Sequence, residues 1–504
     1  MSSSTSPLTV FRNIAANVGG SAVAMLAVLV VVPVYLRLLG AEAYGLVGLF
    51  ATVTMAALAL DLGLGATLNR EAARRRARGD RPGFGDLVVT LEVGAWALGL
   101  LFGGAFAAAA PAITGRWLTF STLTPGEVTR ALSLMALALP ALIARTLYLA
   151  GLNGLERQGR ANLLTAAGIA GRALATVAAL TLLRPSVTTF FVTQVALLYA
   201  EAAAFRLTLI AALPADARHG RLRPAAARPT LGFSGGVAGT MLLALGLTSV
   251  DQVILSAILP LAQFGYYALA VAAANALGQL VQPVTTAVYP RLSQLVERGD
   301  TAGMADDYHF FSQLVAVIVL PAGCVLAFFP EEVLALWTGS PEVARQAAAV
   351  LALRAIGTML NALMHVPHVM QLAVGWSTLA AWVNAIALVI VVPATVALGL
   401  AWGGAGAALV WVALNLATLL FAMGRMHTRV LPGELARWYG HVLLPAAAVA
   451  VVFGASRAAM PETAAPAIRL AWLVVTGAAA AAAALATATT VRRRVMAAAG
   501  AGPA

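Results

Sequence analysis

The sequence contains no lysine, a single cysteine (Cys324) and six histidines, and only 10% of its 504 residues are charged. A typical soluble domain carries about 25% charged residues, so a soluble enzyme of this length is excluded. One cysteine excludes a disulfide framework. There is no phosphate-cradling glycine loop with lysine, no HExxH and no GxSxG, and nothing therefore points to ATP hydrolysis. What is abundant is apolar surface: 61% of residues are hydrophobic and the mean hydropathy is +0.88. That is enough for roughly fourteen spans of about 22 residues across a hydrocarbon core of about 30 Å. The chain reads as an all-α, polytopic membrane protein with almost no extramembrane domain.

All 32 basic residues are arginine, and the formal charge is +12. Nucleic-acid binding needs arginines clustered on a soluble face with stacking aromatics; no domain here carries such a face, so no nucleic-acid partner is expected. Long alanine runs such as Ala479 to Ala484 suggest a GC-rich bacterial genome. Apolar runs broken by proline, glycine and charge predict fourteen spans, near 11–39, 44–68, 84–110, 131–152, 161–183, 188–212, 231–258, 264–289, 309–329, 341–366, 376–398, 402–424, 438–456 and 467–491. The first ten residues have no basic segment and the following run, Ile14 to Leu39, is too long for a cleaved signal. It reads as the first span.

Loop charges test this count. With the N-terminus cytoplasmic, one side holds 22 arginines, including the cluster Arg70, Arg74, Arg75, Arg76, Arg78 and Arg81, and the other holds seven. A positive-inside distribution of this strength puts both termini in the cytoplasm of a bacterial inner-membrane protein. It also makes the 70–81 cluster a topological anchor.

An internal repeat runs beneath the spans. Gly19 to Leu26 matches Gly235 to Leu242, and Leu39 to Leu49, with Tyr44-Gly45, matches Leu259 to Leu269, with Phe264-Gly265. An offset of about 216–220 residues makes span seven the counterpart of span one, in the same orientation, as for halves related by an axis along the membrane normal. The expected organisation is an N-terminal lobe over 1–212, a cytoplasmic linker over 213–230, a C-terminal lobe over 231–424, and two extra helices with a basic tail over 425–504. The fold class is thus fourteen transmembrane helices in two pseudo-symmetric six-helix lobes plus two helices.

Seven charges stand inside these spans: Arg145, Arg172, Arg354, Asp61, Glu92, Glu201 and Asp251. Each costs about 2.5–3.5 kcal/mol at the bilayer centre, on the order of 20 kcal/mol together, so they must face one another, the bundle interior or water. Counting along the spans places Arg172, Glu201 and Arg354 near mid-depth, with Asp61, Glu92 and Arg145 in cytoplasmic halves. Arg172 and Glu201 lie on consecutive spans and can pair, either as interhelical glue or as part of a site; Arg354 has no carboxylate at its depth on neighbouring spans and is a candidate anion ligand. Asn275, Gln279 and Gln282 fall on one helical face before Pro283. Asn13, Asn17 and Ser21 form a similar face, and Arg354, Asn361, His365 and His368 follow a seven-residue rhythm. Such amides are interhelical glue or, with mid-depth charges in both lobes, the lining of a hydrated cavity. His365 and His368 lack further clustered ligands, so neither a metal nor any cofactor is expected.

Several segments carry a resemblance. Tyr35-Leu36-Arg37-Leu38-Leu39-Gly40-Ala41-Glu42-Ala43-Tyr44-Gly45-Leu46, Asp61-Leu62-Gly63-Leu64-Gly65 with Arg70-Glu71, Ser249-Val250-Asp251-Gln252-Val253-Ile254-Leu255, Phe264-Gly265-Tyr266-Tyr267-Ala268-Leu269-Ala270 and Tyr289-Pro290-Arg291-Leu292 are together similar to the polysaccharide and O-antigen flippases. Those belong to the multidrug/oligosaccharidyl-lipid/polysaccharide exporter superfamily. Gln252 stands where that family commonly has a basic residue. The resemblance implies a non-enzymatic transporter moving a lipid-linked oligosaccharide from the cytoplasmic to the outer leaflet, among membrane lipids and in concert with a polysaccharide polymerase and glycosyltransferases. The residues themselves fit this independently, with pyrophosphate expected on Arg172, Arg354 and Arg145, sugars along Asn17, Asn275, Gln279, Gln282 and Asn361, and ion coupling through Asp61, Glu201 or Asp251. A multidrug exporter or a lipid II flippase of the same superfamily are the alternatives within transport. A membrane glycosyltransferase or polysaccharide polymerase is the alternative outside it.

Overall fold

The computed structural model describes residues 29–78, 83–213, 215–228, 231–376, 378–461 and 465–500. Among them there is no strand, only an isolated bridge between Thr119 and Pro260. In a hydrocarbon environment each backbone polar group must be satisfied within its own segment, and apolar sequence of this length answers with helices. Eleven helical segments are long and apolar enough to cross a membrane; the chain is a multi-pass membrane protein.

The helices are α1 (Leu29–Leu39), α2 (Ala41–Leu60), α3 (Leu64–Arg78), α4 (Phe84–Arg116), α5 (Pro125–Gly154), α6 (Gln158–Leu182), α7 (Val187–Ala212), the short α8 (Pro224–Ala227), α9 (Leu231–Ile258) and α10 (Leu261–Glu297). They continue with α11 (Thr301–Phe328), α12 (Pro330–Thr338), α13 (Pro341–Leu363), α14 (His365–Ala373), α15 (Thr378–Ala417), α16 (Met423–Val430), α17 (Leu435–Ala459), α18 (Pro466–Thr487) and α19 (Thr489–Gly500). Starts are encoded locally. Thr124 and Glu127 form a capping box ahead of α5, and Ser186 and Ser340 cap α7 and α13.

The observed segmentation departs from fourteen separate runs at identifiable places. The expected second span is interrupted: α2 ends at Leu60, Leu62 and Gly63 take positive φ, and the Asp61 carboxylate accepts the N–H groups of Gly63 (2.8 Å) and Gly65 (3.2 Å). Expected spans eleven and twelve form one apolar segment, Trp382–Val430, broken at Gly403, whose φ of 59° and ψ of −139° are not helical. Of the first span the described part is α1, and α9 holds the shorter apolar stretch Gly246–Ile258.

The described residues fall into two compact units divided between Gly265 and Tyr266. In the first, α5 is the central helix, and α2, α3, α4 and α7 pack around it. A Cβ at Gly99 would strike the Pro140 backbone and one at Gly103 the Ala136 carbonyl, so glycine lets α4 approach α5 closely. The repeated glycines now have a reason. A Cβ at Gly45 would meet the Leu261 carbonyl, and one at Gly265 would meet the Ala41 carbonyl. Each of these glycines thus presses on the first turn of the other's helix, so that α2 and α10 cross closely. The Glu42 carboxylate closes the same end by accepting the N–H groups of Ser121 (2.5 Å), Thr122 (2.6 Å) and Leu123 (2.8 Å).

In the second unit α11 and α13 are central, with α15, α17 and α18 packed on them. The core joins Tyr308, Val315, Val319 and Met359 to Trp438, Val449 and Phe453, which places the two last long helices inside the unit's apolar packing. At its edge Tyr308 hydrogen-bonds His427 (3.1 Å) and His309 pairs with Glu434 (2.7 Å).

Candidate functional site

Three of the charges inside the spans converge in the first unit. Glu201 on α7 takes Arg145 of α5 on one carboxylate oxygen, at 2.5 Å, and Arg172 of α6 on the other. Arg145, expected in the cytoplasmic half of its span, thus pairs with the same carboxylate as Arg172. Gly168, one turn before Arg172, makes the space: a Cβ there would overlap the Glu201 carboxylate. Arg145 also lies over the Phe205 ring, 5.2 Å from its centre. A second polar layer follows on the same helices, with Gln194 donating to Thr176 (3.1 Å) and Tyr35 of α1 nearby.

The charge balance of this cluster matters more than its hydrogen bonds. Two guanidinium groups share one carboxylate, leaving one unit of positive charge. The Glu201 side chain is 5% exposed, whereas Arg145 and Arg172 keep 16% and 21% of theirs open. The anion is enclosed and the cations are reachable. A cluster of this kind can bind a phosphate oxygen by planar, bidentate hydrogen bonds without first losing its internal partner.

Glu92 serves differently. It accepts from Tyr148 (2.7 Å) and Arg206, and Trp96 donates to Tyr148 (3.0 Å), so it is fully engaged in tying α4 to α5 and α7. Asp61 caps the α2–α3 turn. Asp251 is buried on α9, and its neighbour Gln252 accepts from Thr52 of α2 (3.0 Å).

In the second unit Arg354 is 3% exposed and sits against aromatic rings, 4.9 Å from Trp411 and 6.0 Å from Tyr267. Gly357 lets Trp411 lie this close to α13. Cation–π contact in a desolvated setting offsets burial by about 2 kcal/mol. Asn275, Gln279 and Gln282 do share one face of α10, and that face is exposed. Asn361 donates to Asn415 (2.8 Å), which in turn donates to the Trp411 carbonyl (2.8 Å). Asn17 lies outside the described residues.

Asn361 also borders a pocket of about 200 Å³ with His365, His368, Gln371 and Asn384. Sequence reasoning missed Gln371 and Asn384, although Gln371 follows His365 and His368 at spacings of three on α14, a signal that could have found it. Among the described residues no three His, Cys, Asp or Glu side chains gather as metal ligands do.

A family model described as polysaccharide biosynthesis protein matches residues 10–296. No curated protein sequence matches the chain significantly. Among solved structures, the chain is similar to the lipid II flippase MurJ in an inward closed conformation, with a TM-score of 0.73 at 11% identity over 96% of this chain and 100% of that one. It is similar to an inward-facing multidrug resistance transporter of the MATE family, with a TM-score of 0.67 at 14% identity over 82% and 95%. It is also similar to a MOP-superfamily transporter from Pyrococcus furiosus described by a binding pocket of reverse polarity, with a TM-score of 0.57 at 15% identity over 84% and 96%. These likenesses establish the fold of the MOP-superfamily transporters.

Proposed function

The chain belongs to the family of polysaccharide biosynthesis proteins, and we propose that it is a flippase for a polyprenyl-pyrophosphate-linked oligosaccharide or polysaccharide precursor. Family and fold neighbours are transporters and flippases, and the chain is not an enzyme. In this reading it carries its substrate from the cytoplasmic to the outer leaflet of a bacterial inner membrane by alternating access. Polymerase and glycosyltransferases act beside it.

The observation that carries the proposal is the Arg145–Glu201–Arg172 cluster, a buried carboxylate under two accessible guanidinium groups. We assign the pyrophosphate to Arg145 and Arg172. The exposed amides Asn275, Gln279 and Gln282 offer hydrogen bonds to sugar hydroxyls. Arg354 contributes only where the Trp411 and Tyr267 rings part from it. A cationic drug would favour the opposite polarity, which weighs against multidrug export. The likeness to MurJ over nearly the whole chain favours lipid II as the second reading, with the same polarity of site.

Fourteen crossings fit this function, in lobes over 1–212 and 231–424 with helices beyond 425. The break at Gly403 and the shorter apolar helices Leu29–Leu39 and Gly246–Ile258 support that number. Both termini would then be cytoplasmic. Moving one negative charge outward against an inside-negative potential gains about 2.3 kcal/mol per 100 mV, so the potential itself drives export. Of the ion-coupling candidates, Asp61 accepts two backbone N–H groups of its own turn, Glu201 is shared by two arginines, and Asp251 is buried on α9. The test is leaflet-resolved export of the lipid-linked glycan in Arg172→Ala and Arg172→Lys: no export in the first and partial export in the second.

A further inference from the structure

The proposed function leaves unused a continuous cavity in the second unit. At Gly403, α15 folds back, and Gly406 comes against the Leu398 carbonyl. The two arms enclose a groove of about 750 Å³ lined by Leu379, Ile390, Leu398, Leu409 and Phe421, with Arg425 at one end. Its lining is aliphatic almost throughout. The 200 Å³ pocket of Asn361, His365, His368, Gln371 and Asn384 opens at that same end, because Leu379, Val383, Thr418 and Ala422 border both. The result is one amphipathic cavity: a polar chamber, a cation, and a long apolar channel.

Three observations define the occupant. The first is length. From Leu379 to Leu398 the helical wall runs for roughly 28 Å at about 1.5 Å per residue, close to the full hydrocarbon thickness of about 30 Å. A phospholipid acyl chain fills one leaflet, about half of that, so the groove fits a chain of bilayer length. The second is charge. Arg425 is exposed at the groove's end and makes no ion pair among the described residues, whereas neighbouring Arg429 is stacked 4.4 Å from the Trp376 ring. The third is hydrogen-bond polarity. Gln371 is 4% exposed, and its Oε1 has no hydrogen-bond partner among the described residues, an arrangement that a ligand donor would satisfy. His365 places Nδ1 3.2 Å from the carbonyls of Asn361 and Ala362, so Nδ1 carries the proton and Nε2 of the neutral ring is an acceptor. A chamber that presents acceptors calls for a head group rich in hydroxyl donors.

We propose that this cavity is a second station for the substrate's lipid carrier, separate from the arginine cluster. The groove between the arms of α15 holds the isoprenoid chain of the polyprenyl-pyrophosphate-linked glycan, Arg425 meets the phosphate next to that chain, and Gln371 and His365 accept from its first sugar. The proposal deepens the flippase reading and rests on its substrate class.

The test uses the full-length protein in phosphatidylcholine nanodiscs and a bilayer-length polyprenyl monophosphate with a diazirine at the far end of the chain. Crosslinks should map to the Leu398–Leu409 end of the groove. Unlabelled polyprenyl monophosphate should displace the probe, while phosphatidylglycerol and short-chain farnesyl phosphate should be at least tenfold weaker. Ala394→Trp and Ala417→Trp, which fill the groove from opposite arms, should each cut labelling at least tenfold in protein that stays monodisperse. If neither stays monodisperse, Arg425→Gln at its exposed position decides, with an expected loss of at least threefold. One hexose on the phosphate should tighten binding at least threefold, and Gln371→Leu should abolish that gain. Equal displacement by phosphatidylglycerol would overturn the proposal in favour of a general lipid contact. Labelling outside the groove, full labelling in the tested variants, or no gain from the sugar would overturn it as well. No translocation is read here, so a negative result leaves the Arg172 export test standing. Intact labelling with normal export in Arg172→Ala would instead remove the arginine cluster and keep the groove.

Discussion

One arginine in each unit of this protein sits inside the helix packing, and the two are accommodated in different ways. In the first unit Arg172 shares the Glu201 carboxylate with Arg145 and stays partly open. In the second, Arg354 is shut against Trp411 and Tyr267. Ring faces offset the burial of a cation without cancelling its charge, whereas a carboxylate shared by two cations leaves a net charge that is both fixed and reachable. In the proposed reading, the contrast separates an arginine that receives an anion from one that packs α13 against α15.

The largest effect should come from removing the shared anion. Glu201→Leu leaves two half-buried cations facing each other without their shared anion, and breaking a buried pair costs up to about 3–5 kcal/mol. Yield and Tm in detergent should fall sharply. A stable Glu201→Leu protein would mean that the cluster is solvated rather than enclosed. Next is Trp411→Leu, which takes away the ring under Arg354 and should lower stability by about 1–2 kcal/mol; thermal unfolding reads it. Arg354→Ala should then lose fold before transport, and a well-folded Arg354→Ala without export would turn the strut into a ligand.

A smaller and more symmetrical effect concerns the glycine crossing. Gly45→Ala and Gly265→Ala each put a Cβ on a carbonyl of the other repeat copy, and overpacking of this kind costs about 1–3 kcal/mol. The two losses should match within error; a neutral result at one position would contradict the close crossing of α2 and α10. The smallest effect is pH-dependent. Burial raises the Glu434 carboxyl, but its hydrogen bond to His309 and the charge of Arg437 outweigh that and hold it below the ordinary 4.5. A carboxylate with a lowered folded pKa contributes stability above its unfolded value and loses it as pH falls through the folded one. Tm should therefore decline below pH 4.5 by a component that Glu434→Gln removes.

Sequence periodicity and charge were enough for the membrane class, most span positions and the list of expensive charges, because each depends on residues close in the chain. Partner choice was not. Arg145 and Glu201 are 56 residues apart and Arg354 and Trp411 are 57 apart, too far in sequence for spacing along one helix to pair them. The break after Leu60 fell inside the expected second span because Leu62 and Leu64 carry the apolar run past the Asp61 turn. The pairing of Asn361 with Asn415 shows the same limit: spacing placed an amide on a face but could not say what met it. The tandem Tyr44-Gly45 and Phe264-Gly265, by contrast, was legible as a repeat, and the structure supplied its mechanical meaning.

The central claim is that an anionic carrier is received by the spare positive charge of Arg145 and Arg172. Its most direct measurement is leaflet-resolved export of a polyprenyl-pyrophosphate-linked oligosaccharide in proteoliposomes, comparing wild type, Arg172→Lys and Arg172→Ala at equal reconstitution. The account predicts full, partial and no export in that order, with all three proteins folded. Wild-type export by Arg172→Ala would contradict it.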